Sequence, residues 1–523
     1  MLRWFCLVLA LLAVTSTVRA DPSEARYSAS PERLFWFSVI TDSHIDSGDR
    51  AMENLAWAAG SDASKGDAMG VVGPQFLFNC GDLTDATTVL VPDGQHDSEW
   101  QKYRDLLVAA GMSTDQYIDL PGNHDQYLDA PMDHYRGYSI QGVGDGKTQH
   151  NVSWTAPFGG AYQFLAAATP GNDGALWIDN SGIDSGELLF LQQAVDYDQA
   201  ATLRFAFGHH PIDELKYGKE DLLSLLKQAR FLVYFFGHTH KYDTFWRDGT
   251  LHVNLDSLGK ADNNNYVLVA VDHDSLALRP FNAGSWPMVL ITAPIDAGLG
   301  GGNPNAYKVP QSWSEAPVRA LVFSNQAASA VEYQVDSGAW TAMAPVSGPI
   351  WQGAMDATVL AAGRHVLRVR AQPWPSAYHE IAFDIDPAAP VPDPDPVDGG
   401  VSDDGIPDAG APDQDTSDEI VEAWIETDSG GSPEVEAGDA WVPADSPGVA
   451  EVSVADDSQG SVDDPDVLAD FTALGSDSTI NSGPGGARSG GCAAGPGTRG
   501  PAVMGLLLVL VWAACRPHRR RAR

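Results

Sequence analysis

The 523-residue sequence predicts an α/β domain followed by an all-β region. Three observations carry this reading. Between residues 34 and 281, short apolar runs alternate with segments of helical spacing, the pattern of strands and helices taken in turn. From 286 to 385, strand-length apolar runs recur between turn residues, with no helical spacing among them. An apolar content of 44% with 15 Trp excludes a chain that lacks a core throughout.

The elements are justified in chain order. Residues 1–20 (MLRWFCLVLALLAVTSTVRA) read as a secretory signal peptide, with Arg3 ahead of an apolar run and a small-residue site ending at Ala20. Residues 34–281 form the α/β domain. Leu34–Thr41, Gln75–Cys80, Gln116–Leu120, Tyr162–Ala168, Leu203–Gly208, Phe231–Phe236 and Tyr266–Val271 read as buried strands. Arg50–Ala59, Ser98–Ala110, Ser185–Ala194 and Lys219–Ala229 carry helical spacing. Residues 286–385 read as an immunoglobulin-like β-sandwich, with Val318–Ser324, Ala330–Val335, Arg364–Arg370 and Tyr378–Ile385 as strands and Trp313, Trp340, Trp351 and Trp374 for its core. No titratable cluster falls there, which gives the region an accessory role.

Residues 386–491 are rich in Asp, Pro, Gly and Ser and read as a disordered acidic stalk. Pro394 and Pro396 interrupt its Asp run and no closing Glu falls at the required spacing, which argues against a Ca²⁺ loop. Residues 492–523 form a tail, with an apolar helix at 500–515 and an Arg-rich end (RPHRRRAR). The small-residue Cys492 motif, the apolar helix and the Arg cluster together resemble the myxobacterial C-terminal sorting tail. The alternative is an ordinary C-terminal membrane anchor. Either places the protein outside the cytoplasm, exported and held at the cell surface or outer membrane by helix or lipid. Cys80 is the one Cys between leader and tail, so no disulfide framework is expected in the folded part, and it reads as a small buried hydrophobe.

The formal charge is −39. Residues 386–487 hold 26 acidic residues and no Lys or Arg, so much of that charge belongs to the stalk. The balance argues against a nucleic-acid scaffold as partner, because phosphate backbones are met by Lys and Arg. It leaves phosphate-bearing substrates open, because bound metals can supply the positive charge.

Five polar segments follow the apolar strands. They are Thr41-Asp42-Ser43-His44, Gly81-Asp82-Leu83-Thr84-Asp85, Gly122-Asn123-His124-Asp125, Gly208-His209-His210-Pro211 and Gly237-His238-Thr239-His240. In α/β folds the carboxyl ends of strands are where sites are built. Mixed carboxylate, imidazole and amide donors suit borderline divalent metals such as Zn, Mn or Fe.

In this order the segments resemble the calcineurin-like metallophosphoesterases, whose pattern is D-x-H, G-D-x-x-D, G-N-H-[DE], a lone His, and G-H-x-H. The resemblance covers about half of the chain. It implies a four-layer αββα sandwich with the site at the strand ends. It implies that Asp42, His44 and His240 hold one metal, that Asn123, His209 and His238 hold another, and that Asp82 bridges both. His209 is assigned by its place before a residue and then Pro, with His210 the alternative. His124 is implied as the group that protonates the leaving group or stabilises the transition state, oriented by Asp125; the alternative for His124 is a structural role. Asp85 reads as a hydrogen-bond acceptor behind the ligands, while Asp46, Asp49 and His252 receive no role.

Two such ions, about 3.5–4 Å apart, can clamp the attacking and leaving oxygens of an in-line displacement and generate a nucleophilic hydroxide bridging them at neutral pH. The expected activity is therefore hydrolysis of phosphomono- or phosphodiesters. The alternative is a surface binding or adhesion protein with an idle metal site. The loops 86–97 and 126–149 are expected to meet the substrate, with Arg136 or Lys147 as candidate phosphate contacts. The succession of the 34–281 domain by WPMVLIT (286–292), VRALVFS (318–324) and GRHVLRV (363–369) also resembles a eukaryotic multi-pass transmembrane phosphoesterase, though this chain has an acidic stalk and one tail helix in place of many spans. Oligomeric state stays open.

Overall fold

The strand Leu34–Ile40 places Phe35, Phe37 and Val39 on one face and Leu34, Trp36 and Ile40 on the other, the period of two that a strand buried on both sides requires. The computed structural model describes residues 30–88, 91–92, 94–171, 180–260, 263–302 and 307–392, all within one compact unit. Leu34–Ile40 is central in a five-stranded sheet, in the order Ser275–Asn282, Asn265–Asp272, Leu34–Ile40, Leu77–Asn79, Tyr117–Asp119. A six-stranded sheet runs Asp243–Arg247, Thr250–Asn254, Val233–Phe236, Leu203–Phe207, Ala161–Ala166, His150–Thr155.

The two sheets pack face to face. Phe37 and Phe78 from the first meet Phe164, Phe205, Phe207 and Phe235 from the second in one apolar layer. Phe78 and Phe207 stack with centroids 3.9 Å apart. Such aromatic pairs add about 0.5–1.5 kcal/mol beyond area burial. The outer face of the first sheet is covered by the helices Asp49–Ala59 and Asp97–Ala109, through Leu55, Trp100, Tyr103 and Leu107. The outer face of the second is covered by Ser185–Tyr197 and Lys219–Gln228, through Leu191, Leu222 and Leu226. Asp184 caps the first of these helices with a reciprocal bond from Glu187, which satisfies amides at its N-terminus. The layers are helix, sheet, sheet, helix.

Several elements go beyond the expectations above. The segment between the third site motif and His150 contains two short helices, Asp133–Tyr138 and Ile140–Asp145. They are stabilised by packing rather than propensity: Tyr135 is fully buried and its hydroxyl donates to the Asp119 carbonyl, while the Asp119 carboxylate accepts from the amides of Ile140 and Gln141. In the all-β region, Thr341–Ser347 and Ile350–Met355 are further strands. Thr341–Ser347 buries only Met343, so it shows almost no apolar alternation to read.

Residues 288–386 form an eight-stranded order: Met288–Ala293, Ala316–Phe323, Ile350–Met355, Thr341–Ser347, Ala330–Val335, Gly363–Gln372, Trp374–Asp386 and Val309–Pro310. Val289, Ile291, Val318 and Ala320 near one end of this order share a core with Val331, Leu367, Val369, Ile381 and Phe383 near the other, so the sheet folds over on itself. The opposite face of its first two strands sends Met288, Leu290, Leu321 and Phe323 into the core under the α/β domain's helices. Arg319, fully buried, reaches Asp272 at 3.4 Å, and Thr292 donates to the same carboxylate at 2.8 Å. The expected leader at 1–20, the part of the expected stalk beyond residue 392 and the expected tail at 492–523 lie outside the described residues. Among the described residues, no helix is long and apolar enough to cross a membrane.

Candidate metal centre

The ends of five strands converge on one cluster, and the backbone there is unusual. Asp42 (φ 51°), His44 (42°), Asp82 (52°), His238 (69°) and His240 (52°) all occupy the left-handed region, which non-glycine residues rarely enter. Such residues persist only where the surroundings hold them, and they gather at functional sites. Hydrogen bonds between loops supply the hold. The amide of Asp42 donates to the Gly81 carbonyl (2.9 Å), that of His44 to Asp82 (2.9 Å) and that of Gly237 to His209 (2.9 Å). The His238 amide donates to Asp42 Oδ2 at 3.1 Å. Two glycines permit this closeness. A Cβ on Gly122 would stand 2.1 Å from Asp82 Oδ1, and one on Gly237 would stand 2.0 Å from Thr41 Oγ1 and 2.2 Å from Asp42 Oδ2.

Two donor groups result, joined by Asp82. In the first, Asp42 Oδ1 lies 3.0 Å from His240 Nε2, and His44 Nε2 lies 3.3 Å from His240 Nε2, 3.6 Å from Asp42 Oδ1 and 3.6 Å from Asp82 Oδ2. In the second, Asn123 Oδ1 lies 3.1 Å from His209 Nε2 and 2.9 Å from His238 Nδ1. Asp82 Oδ2 is also 3.3 Å from His209 Nε2, so one carboxylate faces both groups. Asp42, His44, Asp82 and His240 offer ligand atoms within 4.8 Å of one another, as do His209, His210 and His238.

Three of the imidazoles turn their other nitrogen toward a protein oxygen. His44 Nδ1 faces Asp85 Oδ1 at 3.0 Å, and His209 Nδ1 donates to the Cys80 carbonyl at 2.8 Å. His238 Nε2 faces Glu214 Oε2 at 3.4 Å. Ligating histidines characteristically use the second nitrogen in this way, which fixes ring and tautomer.

The electrostatics match a site that expects cations. Burial alone would push the pKa values of Asp42 and Asp82 up and favour their neutral forms, yet the surrounding imidazoles hold both carboxyls well below the usual range. Burial would likewise depress His44 and His209, but Asp42 and Asp85 around the first and Asp82 beside the second push each up to about 9. Ionised carboxylates this deeply buried are costly unless paired or bound to metal. The buried, mixed oxygen and nitrogen donor set fits two divalent ions of the borderline class.

All seven expected ligands, Asp42, His44, Asp82, Asn123, His209, His238 and His240, stand in this cluster. His209 rather than His210 faces both Asp82 and Asn123; His210 Nδ1 is paired with Thr169 Oγ1 at 3.0 Å. His124 lies beside the cluster, its ring centroid 4.6 Å from that of His44 and its Nε2 3.9 Å from Asp82 Oδ2. Burial lowers it to about 4, so its imidazole is neutral near pH 7.

Asp125 does not orient His124, contrary to expectation. Its carboxylate accepts from the amides of Gly122 (2.8 Å), Leu83 (3.0 Å) and Thr84 (3.1 Å). The physical reason is local. Residues 124–126 form a single 3₁₀ turn that sends the fully buried Asp125 inward, where those loop amides need an acceptor. The Nδ1 partner of His124 is instead the Asp85 carbonyl. Arg136 and Lys147 serve their own loop: Arg136 donates to the carbonyls of Pro131 and Gly146, and Lys147 faces Asp145 at 3.6 Å.

Sequence reasoning missed four residues that touch the site's members. Thr169 accepts from the amides of His209 and His210 (3.0 Å each), Lys260 pairs with Asp85, Glu214 backs His238, and Tyr127 accepts from Asn123 Nδ2 at 2.7 Å. None sits in a metal-ligand spacing, so only the folded chain brings them in.

Residues 35–242 match the family model described as calcineurin-like phosphoesterase. The chain is 25% identical over 354 residues to mouse transmembrane protein 62, an alignment covering 65% of this chain and 53% of that protein. The chain therefore spans about half the length of the curated relative it matches. Solved structures similar to it include a dimetal phosphatase from Danio rerio (14% identity, 48% of this chain, 96% of that one, TM-score 0.36). Another is a phosphopantetheinyl hydrolase from Mycobacterium tuberculosis (15% identity, 42% of this chain, 89% of that one, TM-score 0.25). The similarity of residues 35–242 to the calcineurin-like phosphoesterase model supports a hydrolase acting on phosphoester bonds.

Proposed function

We propose that this protein is an exported, metal-dependent phosphoesterase that hydrolyses phosphomono- or phosphodiesters at the strand-end cluster. The observation that carries the reading is the position of Asp82, whose Oδ2 lies 3.6 Å from His44 Nε2 and 3.3 Å from His209 Nε2. One buried carboxylate between two donor groups is what two neighbouring divalent ions need. Asp42, His44 and His240 would hold one ion, Asn123, His209 and His238 the other. When bound, the pair would supply Lewis acidity toward the phosphoryl oxygens and would lower the pKa of water enough to provide a nucleophile at neutral pH.

The protein's own residues supply the rest. His124, neutral and next to the cluster with its Nδ1–H fixed on the Asp85 carbonyl, presents an unprotonated Nε2, placed to take up the proton released by the attacking water and pass it to the ester oxygen as that oxygen leaves. Asp125 keeps the 83–84 and 122 amides in place, and so keeps Asp82 and Asn123 in register. The leader at 1–20 supports export, and the 492–523 tail supports display at the cell surface through helix or lipid. We read the eight-stranded region as an immunoglobulin-like accessory domain, on the ground of its strands around a single core, antiparallel except for the short Val309–Pro310 pairing.

The test is hydrolysis of an aryl phosphate mono- and diester by the full chain after loading with Mn²⁺ or Zn²⁺. Turnover is expected only with metal, and Asp82→Ala is expected to abolish it. Turnover that persists in Asp82→Ala sinks the mechanism. Two bound ions without turnover on any phosphoester tried would point to a binding protein with an idle site.

A further inference from the structure

An asparagine can serve a cation only through its amide oxygen, and a half-turn of the amide presents two N–H donors instead. Something must select the orientation of Asn123. Its Oδ1 points at His209 Nε2 (3.1 Å) and His238 Nδ1 (2.9 Å), into the second donor group. Its Nδ2 points the other way and donates to the Tyr127 hydroxyl at 2.7 Å. The Tyr127 ring also lies against His124, centroids 4.9 Å apart at 47°. One side chain thus touches both an expected ligand and the expected acid.

Tyr127 is itself held. Gln95 Nε2 donates to the carbonyls of His124 (2.7 Å) and Tyr127 (3.1 Å), while Gln95 Oε1 accepts from the indole of Trp100 (2.8 Å), a fully buried side chain. A chain of bonds therefore runs from the helix Asp97–Ala109 to the Asn123 amide.

We propose that Tyr127 is a positioning residue: its hydroxyl, by accepting from Asn123 Nδ2, selects the amide orientation that turns Oδ1 into the second donor group, and its ring sets the plane of His124. This rests on the reading that Asn123 holds an ion. The role has a distinctive consequence. A carboxylate at position 123 has two equivalent oxygens and needs no selection, so the hydroxyl becomes dispensable there.

The experiment titrates Co²⁺ into the metal-free full chain, followed by calorimetry and by the visible absorption of the bound ion. The wild type is expected to take up two ions. Tyr127→Phe is expected to weaken the second ion by about 10–100-fold, the usual loss for an outer partner of a ligand, and to leave the first unchanged. In an Asn123→Asp background, Tyr127→Phe is expected to cost nothing further, a non-additivity that general loosening of the loop would not produce. At saturating metal, Tyr127→Phe should recover most of the wild-type kcat while Tyr127→Leu, which lacks the ring, should not. The proposal is overturned if Tyr127→Phe binds both ions like the wild type, if it weakens both ions alike, or if its loss is the same with Asp at 123. A wild-type chain that takes up fewer than two ions instead defeats the phosphoesterase reading beneath it.

Discussion

The strand-end cluster and the outer face of the eight-stranded region both set carboxylates against cationic or basic side chains, to opposite ends. On the sheet, Arg364 stands directly across from Asp384 and Arg368 across from Glu380, with nitrogen to oxygen distances of 2.5 Å, and Glu332 across from Arg370 at 2.9 Å. Arg370 also lies 3.9 Å over the Trp340 ring. Each charge has its partner in register, half in water, and the backbone beneath is ordinary strand. At the strand ends, two buried carboxylates and four imidazoles face one another, all but His209 from left-handed residues, with Lys260 beside them on Asp85. Register satisfies charge on the sheet. At the cluster, the imidazoles and the carboxylates balance one another in the metal-free chain, and the same donor atoms are those that bound cations would take over.

Substitutions can break or sharpen that contrast. The largest effect is expected from Asp82→Ala, which removes the carboxylate shared by both donor groups. Elemental analysis should find fewer than two ions per chain, with turnover at background. Unchanged metal content would mean that Asp82 is not needed to hold either ion. Next is Arg319→Ala, where a charge is buried far from the cluster. It leaves the Asp272 carboxylate buried without its guanidinium, a loss of about 3–5 kcal/mol for a broken buried pair, read by urea unfolding. A loss below about 1 kcal/mol would show that Thr292 and His273 suffice for Asp272.

His379 tests the sheet region in a third way. Burial, and then the nearby Arg279, lower it to about 3, and its Nδ1 accepts from the Ile291 amide at 2.9 Å. The folded state keeps this imidazole neutral while the unfolded chain binds a proton below about pH 6.5. Stability from this group is thus present above about 6.5 and is lost as pH falls toward 3, by at most about 1.4 kcal/mol per pH unit. His379→Gln keeps an acceptor and removes the titration, so its unfolding midpoint should depend less steeply on pH over that window. Smallest of all is Arg368→Ala on the exposed ladder, about 0.2–1 kcal/mol, shrinking in high salt. A larger loss would give the ladder a structural weight that its exposure does not suggest.

The sequence disclosed much of this arrangement, for physical reasons that also mark where it stopped. Runs such as LFWFSVI and VYFF announce themselves because strands buried on both faces must be apolar throughout. The ligands were legible because each sits directly after such a run. The helices Asp133–Tyr138 and Ile140–Asp145 were not, since six-residue helices carry too few turns for a periodic signal. The partner of Asp125 was missed because it depends on which way one 3₁₀ turn faces. The contacts of Tyr127 and Glu214 depend on distances that only the packed chain sets.

The close approach at Gly122 and Gly237 has a consequence for comparing genomes. A single methyl at either position would collide with Asp82 or Asp42, so no side chain can be accommodated while the carboxylates stay where they are. Gene copies in which either codon has changed are therefore expected to encode proteins that have given up hydrolysis, even where every ligand is still spelled out. A sequencing read at two codons would separate working copies from retired ones before any protein is made.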